Sequence, residues 1–525
     1  MPSNRQVFEY EPVTPSRRPQ PWERSTGAEW PSDGDNPAKD YTSVISASGE
    51  SPATGRTTEA DLEREQHGAD ETRAALGMPA EFWSVKRSHR ISFIGLFLFT
   101  VMLYFRPYEL FPALAFLSTA TFWIAILTLI IFVPTQLVLE GRMTVRTREV
   151  NLLMLLSVTA LLSIPLAISP GEAWETFSDT FIKAVLVFIV MINVVRTERR
   201  LKGIIFLSMA VGALLSVTAF NDYRSGNLTV EGYRVAGLIG NMFGNPNDMA
   251  IHLVMMVPIA VVFTINARHS ITKVLSALCV VLLVVGTVVT YSRAGFLGLM
   301  AAAGVLAWKL GRRNRLTVGL VGTVALALFI GLAPGNYALR IISIFDKSLD
   351  PVASSTTRQD ILMISLKSTL ANPVFGLGMG NFHTVSIQEL VSHNAYTQVS
   401  AELGIPAFIF YMTFLLSPLW RLRRIEQETY GDRQRLHYYY LAVGLQASLL
   451  SYMVTSFFAS VAYLWYVYYI IAYAVCLRRM YASEVYAVED LDLAPKKISA
   501  EVKPKYPNQP ILPEISVPSG QWKDA

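Results

Sequence analysis

The feature that most constrains this chain is the recurrence of long apolar runs between about residues 91 and 477. An apolar run of roughly 18 or more residues is long enough to cross the hydrocarbon core of a bilayer as a helix. Only 16% of the residues are charged and the mean hydropathy is +0.36, whereas about 25% are charged in an ordinary soluble domain. The pattern therefore predicts an all-α polytopic membrane protein.

Twelve membrane spans are predicted from the apolar runs, and the loops between successive spans lie on alternating sides of the membrane. They cover residues 91–105, 112–133, 151–168, 180–195, 202–220, 248–266, 271–290, 293–310, 316–333, 405–420, 438–457 and 460–477.

Lys and Arg gather in the short loops of one side, for example at Arg196, Arg199 and Arg200 after the fourth span. Basic loops favour the cytoplasm, so this side and both chain termini are expected there. The same loops account for the net charge of +5. We therefore expect membrane lipids and not nucleic acid as the partners of this basic charge.

Composition divides the chain into three parts. Residues 1–88 and 481–525 are rich in Pro, Ser and charged residues and poor in aliphatic ones, so we expect two disordered cytoplasmic tails. Residues 89–480 form the membrane domain, with a long outer loop at about 334–404. This loop is expected to contain a helix through Arg358 that stops at Asn372-Pro373, a flexible glycine turn, and a second short helix from a Ser392 cap to Gly404.

Several classes of site are disfavoured by what the sequence contains. Cys279 and Cys476 both fall inside predicted spans, where we expect small buried apolar residues and not a disulfide. No Cys/His cluster has zinc spacing, and Asp346 and Asp350 fit a solvated loop better than a metal site, so no metal is expected. Charges are almost missing from the span interiors, which argues against ion-coupled transport.

Three arginines on the predicted outer side are candidates for holding an anionic ligand: Arg234, Arg293 and Arg358. Guanidinium forks match phosphate oxygens in a bidentate manner. The alternatives are snorkelling to outer headgroups for Arg293 and an ordinary Gly/Asn/Pro turn around Arg234. Three further residues are assigned supporting roles: Asn245, Asn247 and Tyr291. Asn247 or Asp248 is expected to cap the sixth span.

His393 is the candidate catalytic residue. We expect it in the first turn of the second loop helix, where the helix dipole and neighbouring arginines favour a neutral imidazole. The neutral form is the one a general base needs; the alternative is a histidine that only makes a hydrogen bond at a helix start. Asn394, Tyr396 and Glu402 are supporting candidates. Glu402 would orient the histidine or support packing, and Tyr396 would bind sugar or anchor at the interface.

The sequence resembles the O-antigen ligase and polymerase superfamily of bacterial envelope glycosyltransferases. Four segments carry the resemblance, in the order RVAGLIGNMFGNPNDMA (234–250), TYSRAGFLGL (290–299), RQDILMISLKSTLANPVFGLGMGNF (358–382) and HNAYTQVSAELG (393–404).

The resemblance implies a GT-C-like, metal-independent and inverting enzyme of the inner membrane that requires no cofactor. Such an enzyme takes a glycan from an undecaprenyl-diphosphate carrier on the periplasmic face. The acceptor is lipid A core for a ligase, or another lipid-linked glycan for a polymerase of O-antigen or exopolysaccharide. By the same resemblance, Arg234, Arg293 and Arg358 hold the diphosphate and His393 deprotonates the acceptor hydroxyl.

Two other functions remain open from the residues alone. One is a polysaccharide or lipid transporter, which needs a water-accessible central path. The other is a non-catalytic scaffold whose Pro-rich tails dock partners of a polysaccharide assembly.

Overall fold

The computed structural model describes residues 89–228, 230, 234–312, 315–316, 319–320, 322–323 and 354–501, with side chains up to residue 485. The predicted tail 1–88, most of the predicted span 316–333 and the first part of the predicted loop lie outside these residues.

The described residues are organised as α-helices with short 3₁₀ and π turns between them. The longer helices are α1 Arg90–Phe105, α2 Ala120–Glu140, α3 Arg148–Ser163, α4 Ile182–Val194, α5 Glu198–Arg224, α6 Pro246–Asn266, α7 Ser270–Val289, α8 Arg293–Gly311, α9 Ser354–Ala371, α10 Ala395–Thr429, α11 Leu436–Thr455 and α12 Trp465–Glu501.

Ten helical segments in the described part of the chain are long and apolar enough to cross a membrane, and together they contain all of these helices except α9 and α12. The segment of α4, for example, is Pro170–Val194 and includes the helical turns before that helix. The protein is thus an all-α, multi-pass membrane protein, as its apolar runs predict. Ten of the twelve predicted spans are found as such.

The predicted span 460–477 corresponds to α12, which is a core helix of the bundle. α12 begins only at Trp465, and every side chain from Tyr466 to Ala482 is buried. Its tyrosines and two arginines lower its hydropathy, which a helix surrounded by protein tolerates. α12 continues to Glu501, so the segment 481–525, predicted to be a disordered tail, begins as helix.

A buried ion pair joins α12 to α3. The carboxylate of Glu149 accepts hydrogen bonds from Nη1 and Nη2 of Arg478 at 2.9 and 3.1 Å, and a third from Ser417 of α10 at 2.9 Å. Glu149 is fully buried and Arg478 nearly so. A charge in such surroundings is tolerated only when it is paired and hydrogen-bonded, so these contacts fix three helices to one another.

The two helices expected in the outer loop are both present, with differences. α9 ends at Ala371, directly before Asn372-Pro373, as predicted. Its packed face carries Ile361, Ser365 and Thr369, whereas Leu366 and Leu370 are exposed. The second helix does not end at Gly404: that residue makes a kink with φ 84°, and α10 continues from it into the next span.

Candidate functional site

Arg234 is at the centre of a buried hydrogen-bond cluster that joins three segments. Its Nη2 donates to Asn247 Oδ1 at 2.8 Å, and its Nε donates to the carbonyl of Thr290 at 3.1 Å. The hydroxyl of Ser292 donates to the same Asn247 oxygen at 2.9 Å. Arg234 is only 3% exposed. This arginine cluster therefore fixes a buried cation between the amino ends of α6 and α8.

The amino ends of α6 and α8 are capped by side chains. Asn245 accepts from the amide of Asn247 and caps α6, with Pro246 at the first helical position. The expectation that Asn247 or Asp248 would be this cap is wrong, because Asn247 is engaged by Arg234. Ser292 caps α8 through the amide of Gly295 at 3.2 Å.

The turn between α7 and α8 places Arg293 at the amino end of α8. Tyr291 is buried and has a φ of 53°, a conformation that is costly for a bulky residue. Arg293 follows as the first residue of α8 and is half-buried. Gly295 lies so close to α6 that an added Cβ would be 2.9 Å from the Cβ of Ala250. The two capped helix ends are therefore adjacent.

The prediction that His393 lies in the first turn of the second loop helix is wrong, because His393 lies directly before the cap of α10. Asn394 is the cap: its Oδ1 accepts from the amides of Tyr396 and Thr397 at 2.9 and 3.2 Å. Ser392, the predicted cap, instead bonds to Ser460 at 3.1 Å. His393 has a φ of 49°, and such left-handed conformations of non-glycine residues concentrate at functional sites.

Arg358 of α9 is close enough to His393 to affect its charge. Burial, and secondarily the Arg358 guanidinium, lower the pKa of His393 below its ordinary value of 6.5. Both causes disfavour the imidazolium form. The direction agrees with the neutral imidazole expected from the sequence, although burial and not the helix dipole is the main cause.

Tyr396 and Glu402 contact other parts of the protein. The Tyr396 hydroxyl donates to the carbonyl of Met453 at 2.6 Å and accepts from Ser456 at 3.3 Å, at the end of α11. Glu402 is buried beside the Tyr463 hydroxyl and the backbone of Gly380. These contacts agree with packing support, the second of the two roles considered for Glu402.

Residues 373–382 cross the kink of α10 as a close-packed segment, which we call the strap. The amides of Leu377 and Gly378 each donate at 2.9 Å, to the carbonyls of Ala401 and Glu402. Asn381 is buried and exchanges two 3.2 Å hydrogen bonds with the backbone of Ser169. The glycine turn predicted to be flexible is thus fixed on both sides.

The helices that follow the arginine cluster and His393, α8 and α10, both contact the last turns of α11. An added Cβ on Gly298 of α8 would be 2.2 Å from Thr455 of α11, while Tyr396 bonds to Met453 on the same helix. All the predicted site residues in the described part of the chain thus lie at one end of the helix bundle.

A cavity of about 670 Å³ lies between α1, α2 and α4. Apolar side chains line most of it, including Phe99 and Phe122, and Trp465 and Asp248, the residue after Asn247, also line it. Its charged residues include Arg106, which pairs with Glu109 at 2.6 Å, and Lys183, which pairs with Asp179 at 2.9 Å. The cavity suits a molecule with a long apolar part and a polar end.

A comparison with protein families agrees with this arrangement. The family model for O-antigen ligase matches residues 278–412. The chain is similar to the O-antigen ligase family over these residues. The O-antigen ligase match confirms the resemblance to this superfamily and indicates a general role in glycan ligation or polymerisation. A search of curated proteins found no significant match.

The O-antigen ligase segment contains Arg293, Arg358 and His393, together with Tyr291, Asn394, Tyr396 and Glu402. Arg234, Asn245 and Asn247 precede it in the chain. The hydrogen bonds of Arg234 nevertheless connect it to Thr290 and Ser292 inside the matched segment. The structure therefore joins the earlier motif to the matched segment.

Sequence reasoning missed several residues of this candidate site. Ser292 stands directly before a helix that begins with a candidate arginine, which is a cap signal that was available. Trp465 and Asn381 gave no such signal, because their positions depend on contacts with residues far away in the chain.

Proposed function

We propose that the protein is an inverting, metal-independent glycosyltransferase. It moves a glycan from undecaprenyl diphosphate to an acceptor hydroxyl on the periplasmic face of the bacterial inner membrane. The observation that carries the proposal is the position of His393, whose pKa is lowered by burial and by Arg358, at the same bundle end as a fixed arginine and two capped helix ends.

The diphosphate end of the donor binds at the amino ends of α6 and α8 in this proposal. Backbone amides at helix starts favour anions, and Arg234 is a fixed cation between them. Arg293 and Arg358 complete the positive surroundings. The arginines neutralise the charge of the leaving group in this proposal.

His393 acts as the general base. Its neutral imidazole takes the proton of the acceptor hydroxyl as that oxygen attacks the anomeric carbon. The bond from this carbon to the diphosphate breaks in the same step, and the arginines stabilise the charge that develops on the leaving oxygen. A single in-line displacement of this kind inverts the anomeric centre.

The polyprenyl chain of the donor occupies the cavity between α1, α2 and α4. Asp248, which lines this cavity, follows Asn247, the partner of Arg234. A lipid in the cavity therefore presents its polar end to the arginine cluster. The acceptor, a lipid A core or a second lipid-linked glycan, approaches from the side of His393.

Purified protein supplied with undecaprenyl-diphosphate oligosaccharide tests this function. A ladder of longer lipid-linked chains identifies a polymerase, and product only after addition of lipid A core identifies a ligase. Arg293→Gln is expected to lower the rate about 10²–10³-fold, as loss of one charge-stabilising donor does. Wild-type protein that is folded and inactive with both acceptors contradicts the proposal.

A further inference from the structure

A second cavity with charged walls lies at the other end of α8. It has a volume of about 450 Å³ and is formed by α8, α10 and α11. Lys309, which lines it, is sixteen residues after Arg293, so roughly 24 Å of helix separates this cavity from the arginine cluster. We call it the basic cavity, and its position excludes it from the transfer site described above.

The charge of the basic cavity is positive. Lys309, Arg312 and Arg423 line it together with one carboxylate, that of Glu426. Lys309 is engaged: its ammonium group pairs with Glu426 and donates to Gln446 at 3.1 Å, and Gln446 donates to Glu426 at 3.0 Å. This network is partly buried and forms one wall. Arg312 and Arg423 are exposed beside it, which leaves two positive charges for an anionic ligand.

Two tryptophans line the same cavity. Trp308 is 62% exposed and Trp420 is 74% exposed. Exposed tryptophans next to arginines at the end of a membrane span are typical of the headgroup level of a bilayer. The cavity therefore lies where a lipid phosphate is available, and by the distribution of basic loops this is the cytoplasmic leaflet.

An apolar furrow continues from the basic cavity along α8 toward the other end of the bundle. It has a volume of about 840 Å³ and shares Trp308 and Leu450 with the basic cavity. Leu297, Gly304 and Met453 are among its apolar lining residues, and Tyr396 lies at its far end. An added Cβ on Gly304 would contact nothing within 4 Å. The furrow follows roughly 16 Å of helix between Leu297 and Trp308.

We propose that the basic cavity and the furrow together bind one anionic phospholipid of the cytoplasmic leaflet. Its phosphate contacts Arg312 and Arg423, its glycerol lies between the tryptophans, and one acyl chain follows the furrow to Tyr396. Basic pockets between spans on the cytoplasmic side bind such headgroups. The donor diphosphate is not the occupant, because the cations are at the opposite end of α8 from the arginine cluster.

Native mass spectrometry of the full-length protein in detergent tests this site, with phosphatidylglycerol and phosphatidylcholine of identical acyl chains as probes. Wild type is expected to retain one phosphatidylglycerol in preference to phosphatidylcholine. Arg312→Gln combined with Arg423→Gln is expected to weaken phosphatidylglycerol binding tenfold or more. The control, Arg424→Gln combined with Arg433→Gln, removes two nearby arginines that do not line the cavity and is expected to leave binding unchanged.

A second variant tests the acyl chain of the lipid separately from its headgroup. Gly304→Leu fills the furrow and is expected to weaken phosphatidylglycerol binding, while phosphatidylglycerol is expected to raise the melting temperature of wild type only.

Three results overturn the proposal: equal binding of both lipids, equal weakening by the control variant, and loss of bound undecaprenyl diphosphate in the cavity variant. A furrow filled by residues 317–333 of the chain itself also overturns it; phosphatidylglycerol then leaves the melting temperature of wild type unchanged and Gly304→Leu lowers it.

Discussion

His393 is the residue on which the proposed chemistry depends, and its surroundings make its charge state testable. Burial and Arg358 lower its pKa, so the neutral base persists as the pH falls through 6.5. Protonation at still lower pH removes the base. The acid limb of kcat/KM is therefore expected to have its midpoint below pH 6.5, as a profile of initial transfer rates against pH will measure.

Arg358→Gln is expected to move this midpoint. Removing the guanidinium eliminates the smaller of the two causes and leaves burial in place, so the midpoint should rise but stay below 6.5. Lys367→Gln, on the exposed side of the same helix, is the matched control and should not move it. An unchanged midpoint in Arg358→Gln contradicts the pairing of these two residues.

Asn247 is expected to matter because it positions Arg234. Asn247→Ala removes the acceptor of both Arg234 and Ser292. The guanidinium is then misplaced and catalysis should fall, by about 10-fold or more, since small displacements of a catalytic group reduce the rate strongly. Asn227→Ala is the control and should keep the wild-type rate, because the Asn227 side chain donates to Asp222 at 3.3 Å and does not contact Arg234 in the described hydrogen bonds.

For single residues, the sequence identifies candidate site residues by their type but does not identify their hydrogen-bond partners. The arginines and His393 were identifiable because polar residues are rare in a mostly apolar chain. The true caps, Asn245 and Asn394, were each missed by two or three residues in favour of a neighbour. The choice among several adjacent cap formers depends on backbone angles, such as the φ of 49° at His393, which residue type alone does not determine.

The strap is the element whose packing is most sensitive to substitution. A Cβ on Gly376 would be 2.3 Å from the carbonyl carbon of Glu402, and Gly376 has a φ of 68°. Gly376→Ala is therefore expected to destabilise the protein by roughly 1–3 kcal/mol, measured as a fall in melting temperature in detergent. Activity should fall as well, because the strap fixes the kink near the start of α10.

Gly203→Ala is the matched control for the strap. Nothing lies within 4 Å of its added Cβ, and it is inside α5, so alanine should leave the protein unchanged or stabilise it by up to about 1 kcal/mol. Equal melting temperatures for the two variants would show that the strap does not pack as described.

Helices were more predictable than the contacts between them. The end of α9 followed from Asn372-Pro373, because proline disfavours helix in the residue before it. The strap looked flexible because glycine permits many conformations. Its rigidity comes from Ala401, Glu402 and Ser169, whose proximity to it is a property of the fold.

At the scale of the whole molecule, the Glu149–Arg478 pair joins helices that are more than 300 residues apart in the chain. Glu149→Gln leaves Arg478 buried without its counter-charge and is expected to destabilise the protein by about 3–5 kcal/mol. Glu428→Gln removes the partner of Arg424 in a partly exposed pair and should cost no more than about 1 kcal/mol. Thermal unfolding in detergent compares them, and a similar loss in both variants contradicts the role of the buried pair.

The number of spans was predictable where helices face lipid, since hydropathy records that environment. At α12, where tyrosines and two arginines are surrounded by other helices, the apolar run predicted a span but did not indicate its burial in the core. Burial of a helix by protein leaves no distinct periodic signal in its own sequence. The clustering of the site at one bundle end was predictable only through the assumed alternation of spans.

The most direct measurement is the rate of glycan transfer by purified His393→Gln beside wild type, with undecaprenyl-diphosphate oligosaccharide as donor and the acceptor that wild type uses. Glutamine keeps a hydrogen-bonding side chain but cannot accept the proton. The predicted result is a rate lower by about 10²–10⁴-fold at an unchanged melting temperature. A variant that is equally stable and transfers glycan at the wild-type rate would contradict the assignment of His393 as the base.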